Sequence, residues 1–584
     1  MKRLLLPWFI LALPMASCMA QFSDNPDKNL QLTFQETYSS EAGTLADGRF
    51  YVTYNAPVGN DIYYYLMFFD KEGNSLWDEP KLVSSKQTKL SFNTNQMLYV
   101  DKDENALLIC PNSQFDPSQT QETYTVYKVN QEGNDLWPAE GINLMGKESK
   151  RALAMVSVLQ LADGSYVFSW TESSPGNDYK YRVRLQRLSE SGEALWGEGK
   201  VIEDEIDGIS DPYLVDAGNN EVIIVYSRGT QQYIYADRLD FEGNSLWGEP
   251  TLVYGGGGFG SSPLWTILTT CPAEGGVVVG WHGGPEGSSY ESVYISYIKA
   301  DGSYGFATGA EGLKLNYSDL RAFNPSIAYD DANDLIYVAW RETSGLQDRQ
   351  GILTQLVSLQ GELLWNPNDE ERQICPVDDY QASYQSAMIG PDGTYATFYM
   401  VNFDDFKDVR VFACLQDGDG NALWENSPIT LSAHESRKGS LYVTDYNQDQ
   451  WICFWDDERT VTDTAKYEIS HLFTQNINLK GHLGNGGFAT ENNLATVQGN
   501  CHISVSPNPA NQKAIIHISG LPSSACLEMS LYDIQGRRVD YWETKVQDSE
   551  IHLDWTRPAH LAPGMYILQV GIGSEKIHEK MILK

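Results

Sequence analysis

The octapeptide DKEGNSLW, Asp70–Trp77, places a glycine three residues after an aspartate and a tryptophan four residues after that glycine. Close copies follow as NQEGNDLW (Asn130–Trp137), SESGEALW (Ser189–Trp196), DFEGNSLW (Asp240–Trp247) and DGDGNALW (Asp417–Trp424). Aligned on the glycine, the copies fall at Gly73, Gly133, Gly192, Gly243, Gly302, Gly361, Gly420 and Gly481, with separations of 60, 59, 51, 59, 59, 59 and 61 residues. Tryptophan follows in six of them, at Trp77, Trp137, Trp196, Trp247, Trp365 and Trp424; the fifth has Phe306 instead, and the eighth, NLKGHLG, has lost it. Glycine admits the positive φ of a tight hairpin, a preceding Asp, Asn or Ser bonds the turn backbone, and a Leu-Trp pair is expected to pack between neighbouring repeats. The motif is thus expected to be structural.

A second signal precedes each glycine: a polar turn and then an apolar run ending mostly in an aromatic, as in DGRFYVTY, DGSYVFSW, NDLIYVAW and DQWICFW. Such β-branched and aromatic runs predict strands buried on both faces. An alternating stretch such as YIYADRL (Tyr233–Leu239) then predicts a half-exposed strand. Each repeat reads as about four short antiparallel strands. Eight such sheets bury their faces best by radial closure, so the sequence predicts an all-β chain with an eight-bladed β-propeller over residues 29–496. Seven blades with a stray unit, or an open solenoid, are the alternatives. The motif LDFEGNSLW resembles the tryptophan-docking motif of quinoprotein-type propellers, whose repeats are shorter and whose turn has one more residue. It also loosely resembles the Asp-box of sialidases. The closer resemblance is to a bacterial propeller repeat with the pattern D.YAQRLD..G..LW, which implies a fold and not a reaction.

The two ends read differently. MKRLLLPWFILALPMASCMAQ has a basic start, an apolar run and small residues, the pattern of a secretory signal peptide over residues 1–20 with cleavage after Ala20; Cys18 offers a lipidation alternative. After a Gly and Asn-rich linker ending at 497–502, residues 503–584 predict a compact Ig-like β-sandwich of six or seven strands. SPNPA (Ser506–Ala510), LYDIQGRRV (Leu531–Val539), LAPGMYILQV (Leu561–Val570) and KMILK (Lys580–Lys584) resemble the type A C-terminal sorting domain of the Bacteroidota type IX secretion system. The resemblance implies Sec export, passage through the type IX translocon, and handling by its sortase. It implies sorting roles for Pro507, Asn508, Pro509, Gly536, Gly564, Tyr566, Lys580 and Lys584.

Asp and Glu total 78 against 41 Lys and Arg, a formal charge of -37 that repels nucleic acid and anionic lipid. No later stretch is long and apolar enough for a transmembrane segment. Beyond Cys18, seven scattered cysteines form no CxxC, which argues against zinc or a disulfide scaffold, and only Cys501 with Cys526 are placed to bridge within one domain. No metal site is expected, and no cofactor, although the acidic turns DGDGN (Asp417–Asn421) and DDAND (Asp330–Asp334) offer oxygen ligands for calcium.

No catalytic motif is present, so no catalytic residue is assigned. The candidate ligand-binding residues follow apolar strands: Arg228, His282, Arg341 and Arg459. Three guanidiniums meeting at a propeller mouth would clamp a carboxylate or sulfate, whereas Glu342, Asp457 and Glu458 beside them would form local ion pairs instead. The expected function is a surface or extracellular binding module for an unknown protein or glycan; the alternative is a glycosidase-like hydrolase with carboxylates at the propeller mouth.

Overall fold

The computed structural model describes residues 22–484 and 502–584, excluding 34, 38, 60, 86–95, 117–118, 145–151, 175–176, 230–232, 256–267, 284–290, 367–372, 462–468, 507, 509, 520–524, 534–537, 547–549, 559–560 and 573–574. The signal peptide and the linker up to and including Cys501 lie outside the described residues, and His502 already opens the first strand of the second unit. Contacts divide the chain into Met1–Gly487 and Phe488–Lys584. The described structure is all-β, with two short 3-10 turns and no α-helix.

The first unit holds eight four-stranded antiparallel sheets. Seven take their strands in chain order; the sixth, for example, runs Arg321–Asp330, Leu335–Thr343, Gln350–Ser358, Gln373–Asp378. The eighth contains Lys438–Val443, Gln450–Asp457 and His471–Asn478, and its fourth strand is Leu30–Gln31 from the other end of the chain. First strands of most successive sheets touch, and that of the eighth touches that of the first. Ser40 Oγ in the first sheet donates to Asp456 Oδ1 in the eighth at 2.7 Å, and Asn447 Nδ2 donates to Leu45 O at 2.8 Å.

The second strands are the apolar runs, and Glu221–Arg228, Gly276–Gly283 and Gln450–Asp457 are buried along nearly their whole length. A sheet sandwiched between two others has no solvent face, so periodicity vanishes there. The third strands divide: Asp61–Phe69 alternates as expected, while Gln350–Ser358 and His471–Asn478 are wholly buried.

The repeated octapeptide is the joint between sheets. All eight turn glycines have positive φ, from 78° to 89°. Asp70 Oδ1 accepts from Asn74 N at 2.7 Å, closing the turn. Each indole then reaches into the next copy and donates to the carbonyl two residues before its glycine: Trp77 to Gln131 O (2.8 Å), Trp137 to Glu190 O (2.9 Å), Trp196 to Phe241 O (3.1 Å), Trp247 to Ala300 O (3.0 Å), Trp365 to Gly418 O (2.8 Å), Trp424 to Leu479 O (2.9 Å). A Cβ on Gly420 would stand 3.2 Å from the Trp365 ring, so the glycine also makes room for the indole. The expectation for the leucine is corrected: Leu76, Leu136, Leu195, Leu246, Leu364 and Leu423 are 44–48% exposed, because successive residues in an extended segment face opposite ways.

Five first strands carry a register shift that the sequence did not announce, one of them between Leu153 and Ser157 of the third sheet, and the other four share a backbone conformation. Register shifts lie between Ser210 and Tyr213, Phe323 and Ser326, Ser383 and Ser386, and Gly439 and Tyr442. Inside them Asp211, Asn324, Tyr384 and Ser440 all adopt φ between 53° and 56°. Non-glycine residues enter this region rarely, and bulges concentrate where a strand edge must re-aim a side chain.

The second unit has seven strands in a three-stranded and a four-stranded sheet. Ile516, Ile518 and Trp555 from one and Leu527, Met529, Leu568 and Met581 from the other share a core, which makes it a sandwich.

Candidate functional site

Where the seventh and eighth sheets meet, the bulged residues open a pocket of about 410 Å³. Ser383 and Tyr384 come from the first strand of the seventh sheet, Gly439 and Ser440 from that of the eighth, and Asp456 and Glu458 from the end of the eighth sheet's apolar strand; Phe406 and Arg437 complete the wall. Tyr384 and Phe406 are 52% and 48% exposed, two aromatic rings offered to a ligand. Residues two apart on a strand share a face, so Asp456 and Glu458 both look into the pocket while Asp457 looks away.

Burial raises both carboxyls, but their partners differ. Burial pushes Asp456 up to about 6; hydrogen bonds from Ser40, Ser440 and Ser470 oppose this, and the charge of Asp457 adds to it. Burial also raises Glu458, against the pull of Arg437, whose Nε lies 3.5 Å away. Nearby, burial pushes Glu41 up to about 7 although its carboxylate accepts from Leu98 N at 2.7 Å. Tyr442, raised chiefly by burial, feels Glu41, Asp456 and Tyr384 and links these groups.

Behind this wall Asp457 holds a buried ion cluster, one member of which, Lys438, also lines the pocket. Arg459 Nη2 donates to it at 2.6 Å, and Lys438 Nζ lies 3.6 Å away while donating to Val409 O, His434 O and Ser436 Oγ at 2.7, 2.6 and 2.7 Å. Burial lowers Lys438 to about 8. Burial would raise Asp457, but the hydrogen bonds and charges of Arg459 and Lys438 outweigh it and hold its carboxyl below the usual range.

The four sequence-derived ligand residues separate. Arg459 is committed to Asp457, Asn29 and Ser432. Arg228 pairs with Asp204 at 2.7 Å and Asp207 at 3.3 Å. Burial, opposed by the charge of Glu291 and helped by that of the nearby Arg341, lowers the His282 imidazole to about 4. His282 Nδ1 accepts from Asn324 N at 3.3 Å. Arg341 does not pair with Glu342, which faces the other way and accepts from Trp340 Nε1 at 3.1 Å and Ser318 Oγ at 2.7 Å. The acidic turns are closed on themselves, Asp417 Oδ1 accepting from Asn421 N at 2.9 Å and Asp330 Oδ1 from Ala332 N at 3.2 Å.

In the second unit, Pro507, Pro509 and Gly536 lie outside the described residues. Asn508 clasps the last strand: its Oδ1 accepts from Ile582 N at 2.8 Å and its Nδ2 donates to Lys580 O. Ala510 N donates to Ile582 O and Lys584 N to Ala510 O, at 2.8 and 2.9 Å, so the chain end is pinned. Tyr566 is buried and donates to Ala562 O at 2.8 Å, while Gly564, Lys580 and Lys584 are exposed. One grouping that the sequence did not suggest lies here. His517 and His552 face each other across paired strands with rings 4.2 Å apart, and with Glu550 they offer three ligand atoms within 4.8 Å of one another, a donor set suited to a borderline divalent metal.

Residues 504–584 match the secretion system C-terminal sorting domain. The chain carries a type IX sorting signal. It is therefore a secreted, surface or extracellular protein of that route, associated with its machinery, and no described helix is long and apolar enough to cross a membrane. No curated protein matches the chain. Among solved structures it is similar to PorZ, a surface component of the type-IX secretion system of Porphyromonas gingivalis (11% identity, 93% of this chain and 74% of that one, TM-score 0.30). It is also similar to the α-L-arabinofuranosidase Arb93A of Fusarium graminearum (13%, 58% and 97%, 0.32) and to the polysaccharide lyase Uly1 (9%, 69% and 94%, 0.39). These similarities are too distant to transfer an activity.

Proposed function

We propose that the chain, after loss of residues 1–20 and sortase processing of its tail, is a surface or released eight-bladed propeller that takes a glycan into the pocket between the seventh and eighth blades and hydrolyses it. Closure is supported by eight four-stranded sheets, by contact of the eighth with the first, and by a last strand contributed by Leu30–Gln31.

The observation that carries the reading is the pairing of two carboxyls with different partners in one pocket walled by two exposed rings. A carboxyl that keeps its proton to about pH 6 can protonate a leaving glycosidic oxygen, and a second carboxylate on the same face can activate water or attack carbon. Asp456 is the proton donor and Glu458 its partner. Tyr384 and Phe406 give the apolar faces of sugar rings something to pack on. The Arg437 ion pair with Glu458 favours a second reading, recognition without cleavage, because it engages the carboxylate that would react.

Reducing-end release and equilibrium binding on a panel of soluble polysaccharides separate the two. Hydrolysis predicts that Asp456→Asn and Glu458→Gln abolish release while leaving binding within a few fold. Wild-type protein that binds but releases nothing makes the chain a binding module, and failure to bind any glycan overturns both readings.

A further inference from the structure

In three sheets the residue after the aromatic that ends the apolar strand accepts a hydrogen bond from the first strand of the next sheet. Thr171 Oγ1, after Trp170, accepts from Asp211 N at 3.1 Å. His282 Nδ1, after Trp281, accepts from Asn324 N at 3.3 Å. Asp456 Oδ1, after Trp455, accepts from Ser40 Oγ at 2.7 Å. In the first two cases the donor is the bulged residue with positive φ, Asp211 or Asn324.

The sixth sheet departs from this, as does the fourth, where Ser227 Oγ, after Tyr226, is buried with no hydrogen-bond partner among the described residues. After Trp340 stands Arg341, and the strand that carries it packs against the strand whose bulged residue is Tyr384. A guanidinium has donors and no acceptor, so Arg341 cannot receive an amide from that bulge. It is partly buried, its Nε has no hydrogen-bond partner, and among the described residues no carboxylate forms an ion pair with it. Its Cζ lies over the Phe323 ring, 5.5 Å from the centroid. Arg321, on the same ring, is committed to Glu291 through two hydrogen bonds, and Glu342 is turned away. A partly desolvated cation without a counter-charge is costly to keep. In a chain of net charge -37, a guanidinium left unpaired while Glu291 and Glu342 are bonded elsewhere marks a place for an anion from outside.

We infer that Arg341, oriented by Phe323, is an oxyanion-binding residue that grips a carboxylate or sulfate ester carried by an acidic saccharide. The fork geometry of a guanidinium matches either group through two parallel N–H bonds, and the ring beneath holds the fork in place. Residue Tyr384, on the neighbouring strand, also lines the 410 Å³ pocket, so the anion would be held beside that pocket. The inference stands whether or not the pocket cleaves, because it concerns binding alone.

Titration calorimetry on the full secreted chain tests it, with three oligosaccharides of equal length as probes: neutral, uronate-bearing and sulfated. At least one acidic probe is expected to bind at least tenfold more tightly than the neutral one, and which one distinguishes carboxylate from sulfate. Arg341→Gln should erase that preference, Arg341→Lys should keep part of it, and Arg228→Gln, at an arginine already paired, should leave it unchanged. The melting temperature of Arg341→Gln should equal or exceed that of the parent, since an unpaired charge is removed. Equal binding of all three probes, an acid preference that survives Arg341→Gln, or a marked drop in melting temperature would each overturn the assignment, the last by making Arg341 a structural residue.

Discussion

Two positions of the repeat invite comparison: the turn glycine with the indole that meets it, and the residue just past the apolar strand's aromatic. The first is the same chemistry nearly everywhere, each Trp Nε1 finding the carbonyl two residues before the next glycine. The second is different in almost every sheet: Thr171, Ser227, His282, Arg341, Asp456. A joint tolerates one solution because a glycine with positive φ and a ring must fit one gap. The position facing the next sheet's first strand tolerates many solutions, from acceptors such as Thr171, His282 and Asp456 to Ser227, whose hydroxyl is buried without a hydrogen-bond partner. Where the position is not used for holding sheets together, as at Arg341, or is shared with a pocket, as at Asp456, it is available for a ligand.

The comparison can be broken first at the joint. Trp365→Ala removes a buried indole and its bond to Gly418 O, and should lower stability by about 3–5 kcal/mol, read from the denaturant midpoint of tryptophan fluorescence. An unchanged midpoint would mean the rim does not hold the sheets.

The variable position is tested by pH. Folded Asp456 keeps its proton to about pH 6, whereas an unfolded aspartate releases it near its ordinary value of 3.8. The folded state therefore binds more protons across that window, and stability falls as pH rises through it and stays lower above. Asp456→Asn keeps an acceptor for Ser40 and removes this dependence. Relative to the parent it should gain on the order of 2–3 kcal/mol between pH 4 and pH 7.5. Parallel pH profiles for the two proteins would show that Asp456 titrates normally.

The smallest effect should come from the most conspicuous letter of the motif after tryptophan. Leu364→Ser, at an exposed side chain, should shift stability by no more than about 0.5 kcal/mol. A larger loss would reveal a partner for the leucine.

What the sequence disclosed and what it withheld follow the same division. The turn was legible because glycine is nearly the only residue that takes φ near 80° beside a ring, and the apolar strands because burial on both faces leaves a run of β-branched and aromatic letters. The bulges were not legible: Asp211, Asn324, Tyr384 and Ser440 share a backbone conformation, but polar side chains of this kind are too common in the chain to mark it. Nor was the pocket, since Tyr384 and Asp456 come from different sheets and meet only through register. Of the arginines, the pairing of Arg459 with adjacent Asp457 could be anticipated, but that of Arg228 with Asp204 depends on a loop closing back. His517 and His552 look unrelated in the sequence until their strands are paired.

The strand Leu30–Gln31 has a kinetic consequence. The segment that completes the eighth sheet leaves the ribosome among the first and finds its partners last: Leu472 N donates to Thr33 Oγ1 across 439 residues of chain. Contacts of such separation form slowly, since the intervening loop must close before they yield any stabilisation. For a protein that crosses the inner membrane as an extended chain, this delay is useful. The first unit cannot lock until nearly all of it has arrived on the far side, so export competence is written into the order in which its strands appear.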